Sequence, residues 1–202
     1  MMDGLSHRKS PYERFMDEYT AIEVPSQSRR GFKVKYVYYG TWYIWDLPDE
    51  QLKKKKVTVL FACGLGLSAT IAAACIHHVL NTMLLVGIPA TLALLICLLQ
   101  TINVGRFVLS KNPTSRSNYR AITNGMKIFS VLSSILSAIT VLSCLGYSIS
   151  LSLIDIQVCI IPFLHLIVAA SSVLIWKTYT GIPFRTEKND TLSKVKRLSP
   201  NS

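Results

Sequence analysis

Acidic side chains are scarce in this sequence, with 11 Asp and Glu against 22 Lys and Arg and a net charge of +11. In two places charge of either sign all but disappears. Val57 to Val104 contains no Asp, Glu, Lys or Arg, and Ile128 to Trp176 contains only Asp155. Length alone decides nothing, because a soluble domain of 202 residues would bury a full core. The distribution of charge decides it. Roughly 20 apolar residues cross a hydrocarbon core of about 30 Å, so each uncharged run is too long for one span and reads as a pair.

Other absences narrow the function. The five cysteines, Cys63, Cys75, Cys97, Cys144 and Cys159, have no metal-site spacing and read as small packing residues. There is no HExxH, no serine elbow, and no phosphate loop, since Gly64-Leu65-Gly66 lies inside an apolar run without the lysine such a loop needs. The expectation is a protein that is not an enzyme and carries no cofactor and no metal. The first 56 residues hold no apolar stretch of signal length, and Gly4 stands outside the myristoylation pattern. The spans carry no charge to line a pore, and no alternating pattern suggests a barrel.

The polar residues inside each run mark its turn. His77, His78, Asn81 and Thr82 interrupt the first, and Ser150, Ser152 and Asp155 interrupt the second. Four windows result, 57–76, 84–104, 128–148 and 156–176. Helix is required in each, because backbone in hydrocarbon must satisfy its own hydrogen bonds. The fold class expected is an all-α integral membrane protein of four transmembrane helices arranged as two hairpins, 57–104 and 128–176. Residues 1–56 form an N-terminal segment, 105–127 a central basic loop and 177–202 a C-terminal tail.

Orientation follows from the basic residues. Eleven lie in residues 1–56, five in 105–127 and six in 177–202, while the two short turns hold none. Positively charged loops stay cytoplasmic, so both termini and the central loop are expected inside, in a plasma membrane or bacterial inner membrane. Lys53, Lys54, Lys55 and Lys56 abut the first span, where they orient it and meet anionic headgroups.

Residues 1–30 lack periodicity and read as disordered. The character changes at Gly31. Phe32, Val34, Tyr36 and Tyr38 alternate with Lys33, Lys35, Val37 and Tyr39, and Trp42, Tyr43 and Trp45 follow. Period-two alternation of this composition predicts a strand, turned into a hairpin at Gly40-Thr41. Phe32, Tyr36, Tyr38, Trp42 and Trp45 are the candidate contacts to a partner or to the membrane surface. Asp46 to Gln51 then starts a helix, with Pro48 in its first turn, that runs into the first span.

Within the spans, Ala62 with Gly66 and Ala69 with Ala73 form small-xxx-small pairs, and Ser130, Ser134 and Ser137 recur at helical spacing. In lipid such faces allow close backbone approach, within one bundle or against another protein. Intramembrane polar groups are functional candidates, and here these are His165, Gln100 and Asn103.

The leading expectation is a noncatalytic multi-pass subunit that anchors, scaffolds or regulates a protein partner, another membrane protein or a second copy, through its cytoplasmic segments. The alternative is a small transporter of a neutral or lipidic substrate, which requires His165, Gln100 and Asn103 to face a common path. A nucleic-acid partner is not expected, because basic tails of this kind normally orient spans and touch anionic lipid.

Overall fold

The computed structural model describes residues 18–25, 32–151 and 156–188. Most of them are helical. In chain order the elements are strand β1 (Tyr19–Pro25), β2 (Phe32–Tyr38) and β3 (Trp42–Trp45), helix α1 (Asp49–Cys75), the short α2 (Val79–Thr82), α3 (Leu84–Leu109), strand β4 (Thr114–Ser115), helices α4 (Arg116–Ser150) and α5 (Ile156–Thr180), and strand β5 (Phe184–Glu187).

Four helices, α1, α3, α4 and α5, are long and apolar enough to cross a membrane. Each matches one of the windows read from hydropathy and extends beyond it, although α1 stops one residue short of its window's end. Pro48 sits just before α1, and Asp49 and Glu50 fill the first turn, where the helix dipole favours acids. Pro89 and Pro162 lie inside α3 and α5. The outward faces are apolar: Phe61 is 72% exposed, Leu84 74%, Leu142 69% and Phe163 62%. So much exposed apolar surface is untenable in water and natural in lipid, which makes this a multi-pass membrane protein.

The described residues fall into two compact units. The first gathers those within Met1–Ile44, Asn112–Tyr119 and Arg185–Ser202; the second comprises Trp45–Lys111 and Arg120–Phe184.

The first unit is where the structure departs from the sequence reading. β2 does not fold back on β3 through Gly40-Thr41. It pairs antiparallel with β1, Tyr19 opposite Tyr38 and Pro25 opposite Phe32, in a sheet of two strands. The segment expected to be disordered thus supplies a strand at Tyr19–Pro25, while residues 1–17 and 26–31 lie outside the described residues. β3 belongs to a second sheet of order β4-β3-β5, with Trp42 opposite Ser115 and Tyr43 opposite Thr114. The chain is therefore not all-α. Alternation identified β2 and β3 but carries no information about a partner more than 70 residues away.

In the second unit α1 packs against α3 and α5. Its buried residues include Val59, Ala62, Gly66, Ala69 and Ala73, one stripe at helical spacing. Leu80, Val86, Cys144, Val158 and Ile161 form an apolar cluster at one end of the bundle, and Ala69, Cys97 and Val168 form another.

Candidate functional site

Within the first unit, Tyr38 is buried and holds the strands in register. Its ring meets Tyr19 at 5.2 Å and Trp42 at 4.6 Å, both edge-on. Its hydroxyl donates to Thr41 O at 2.7 Å and accepts from Arg116 N at 3.1 Å. Burial pushes this phenol above the usual tyrosine range, and the Arg116 N–H opposes that shift. Tyr43 stacks on Tyr119 with ring centroids 4.4 Å apart. Tyr36 differs from these: it is 55% exposed on the β1–β2 sheet.

Two of the expected contact residues are buried within the chain. Tyr38 is internal to the first unit. Trp45 is 2% exposed in the second, packed edge-on against Phe107 at 5.6 Å and Tyr179 at 5.9 Å. Phe107 and Tyr179 also meet at 5.3 Å, closing a three-ring cluster. A large aromatic next to a span end finds a pocket among the helix ends before it finds a partner. Trp42 is half-buried, and the side chain of Phe32 lies outside what the structure describes.

The four lysines also separate. Lys53 and Lys54 are exposed, and Lys55 is half-buried. Lys56 donates to Val108 O at 3.1 Å and Ser110 O at 2.7 Å, with its ammonium 5.6 Å from the Phe107 ring centroid. These carbonyls lie at the C-terminal end of α3, where a cation is favoured. Lys56 thus works as a clamp between helices rather than as a headgroup contact alone.

The small-residue faces lie at helix contacts. A Cβ on Gly66 would stand 2.5 Å from Ser171 Oγ, so a side chain there would require the Ser171 hydroxyl to move. Ser130 and Ser137 are buried as expected, but Ser134 is only half-buried and Ser133, one position earlier, is fully buried. The heavy-atom contacts give the reason. Thr70 Oγ1 lies 3.7 Å from Cys97 Sγ, Cys97 Sγ lies 3.4 Å from Ser133 Oγ, and Ser172 Oγ donates to Ser133 Oγ at 3.0 Å. One line of polar atoms thereby crosses α1, α3, α4 and α5. Gln100 Nε2 adds a bond to Ser130 Oγ at 3.0 Å. In a bundle without a hydrophobic driving force between helices, such bonds fix which faces meet.

The three intramembrane candidates do not share a path. His165 lines a cavity of about 150 Å³ with Thr70, Asn81 and Thr91, and its Nδ1 has no hydrogen-bond partner among the described residues. Asn103 lies in a different cleft, between α3 and α4, with Nδ2 donating to Leu99 O at 2.8 Å. Gln100 lines neither of these cavities and is buried against Ser130. His165 and Asn103 thus line two different cavities.

Gly125 escaped the sequence reading. A Cβ there would collide with the Asn103 carboxamide, so this glycine lets Asn103 lie across α4. A lone glycine in a helix carries no such message until its neighbour is known. Among the described residues no three His, Cys, Asp or Glu side chains gather, so none of them offers a metal ion a ligand set.

No family model, curated protein or solved structure matches the chain.

Proposed function

We propose that the chain is a noncatalytic multi-pass membrane subunit that offers its β1–β2 sheet to a protein partner on the cytoplasmic side of a plasma membrane or bacterial inner membrane. The observation that carries this reading is a sheet that, among the described residues, has two strands. Two strands alone are marginal in water, and a third strand from a partner both satisfies backbone groups and adds cover. Tyr36, exposed on that sheet, is the aromatic anchor such a contact uses.

Charge supports the cytoplasmic side, and strand pairing supports a single shared side. Every lysine and arginine lies before residue 57, between 105 and 127, or after 176, the pattern of segments held inside. In addition, β3, β4 and β5 come from before α1, between α3 and α4, and after α5. Hydrogen-bonded strands occupy one side of a bilayer, and this pairing supports a two-hairpin topology.

The test is native mass spectrometry after extraction in mild detergent. The expected result is a stoichiometric protein partner or a homo-oligomer, released in part by Tyr36→Ser with insertion intact. A solitary monomer in several detergents and in lipid nanodiscs contradicts the proposal.

A further inference from the structure

The cleft between α3 and α4 has a chemical direction. Its volume is about 420 Å³, within the range of small-ligand sites. On α3 its lining runs from Arg106, in the last turn, back through Asn103 to Leu99; on α4 it runs from Ala121 through Asn124 to Ile128 and Phe129. At a rise of about 1.5 Å per residue, Arg106 and Asn124 stand roughly 7 to 10 Å along their helices from the apolar end of the lining. Both helices therefore place these polar groups nearer the short α3–α4 connection and the apolar end of the lining toward the middle of the span.

The polar end is cationic and locally uncompensated. Arg106 is exposed and makes no ion pair among the described residues. Between Gly105 and Lys127 the sequence contains no Asp or Glu, while Arg120 and Lys127 stand exposed one turn to either side of Asn124. The close fit of Asn103 over Gly125 forms part of the cleft wall.

We infer that this cleft binds an anionic glycerophospholipid, with its phosphodiester against Arg106 and Asn124 and an acyl chain along Leu99, Ile102, Ile128 and Phe129. The guanidinium fork and a carboxamide N–H donate to phosphate oxygens, and the four apolar residues give the chain a fixed trough. A free phosphate would use only the polar end. Basic pockets between spans at the membrane surface have the chemistry for such headgroups. The inference is independent of the partner reading, because the cleft lies wholly within the helical unit.

The experiment uses full-length protein in detergent, titrated with phosphatidylglycerol or phosphatidylcholine of equal chain length, with bound lipid counted by native mass spectrometry. The wild type should retain the anionic lipid preferentially. Arg106→Gln should weaken that retention about five- to tenfold, Arg106→Lys should keep part of it, and Ala121→Phe, which fills the cleft without changing charge, should abolish it. Lys188→Gln, exposed and outside the helical unit, should change nothing. Equal retention of the two lipids by the wild type overturns the inference, as does an Arg106→Gln variant that binds like wild type. Full displacement by inorganic phosphate would also overturn it, since the trough would then contribute nothing.

Discussion

Trp45 and Tyr36 lie nine positions apart in one aromatic-rich segment, yet they have opposite roles. The indole of Trp45 fills a pocket with Phe107 and Tyr179, whereas Tyr36 faces outward. Trp45→Ala should therefore cost about 3–5 kcal/mol of stability, the range for deleting a buried large aromatic. Tyr36→Ser should stay within about 0.5 kcal/mol. Thermal unfolding of the purified variants in one detergent separates the two; equal losses would mean that the burial difference has no energetic weight. Gly66 provides a second contrast. Gly66→Ala pushes a methyl against Ser171 Oγ and should destabilise by about 1–3 kcal/mol, as overpacking does. Ser171→Ala removes the opposing oxygen and should recover much of that loss in the double variant. Additive losses would show that the close approach does not govern this site. Gly66 was legible beforehand because Ala62, Ala69 and Ala73 repeat its spacing. Gly125 was not, because its reason is the Asn103 side chain on another helix.

The elements divide by the range of the forces that build them. The four spans were legible because lipid imposes a local rule: an uncharged apolar run of sufficient length becomes a helix whatever its neighbours. The strands were legible only as strands. Phe32–Tyr38 alternates correctly, but its partner Tyr19–Pro25 has no comparable pattern, and the two residues of β4 carry no signal at all. Among the lysines ahead of the first span, composition predicted a uniform group and the structure distinguishes Lys56, which donates to two carbonyls at the end of α3. Lys56→Gln should lower thermal stability, while Lys53→Gln and Lys54→Gln should leave it unchanged. Neutralising all four should in addition produce mixed orientation in a protease-protection assay, because these charges lie closest to the first span. If Lys56→Gln melts with the wild type, the clamp contributes nothing. If the fourfold variant keeps a single orientation, the cluster does not set topology.

Across the whole molecule, the β4-β3-β5 sheet ties together three stretches of chain separated by pairs of spans. Charge counting and strand pairing are unrelated kinds of information, and the proposed topology accommodates both. A function read from the same sequence is less constrained, and the proposal made for it rests on the β1–β2 sheet and Tyr36. That account depends on all three stretches sharing the cytoplasm. The direct measurement is a set of reporter fusions after Leu80, Ser115, Leu151 and Lys188, assayed for cytoplasmic or external activity. The account predicts outside, inside, outside, inside, and an external signal at Ser115 would contradict it.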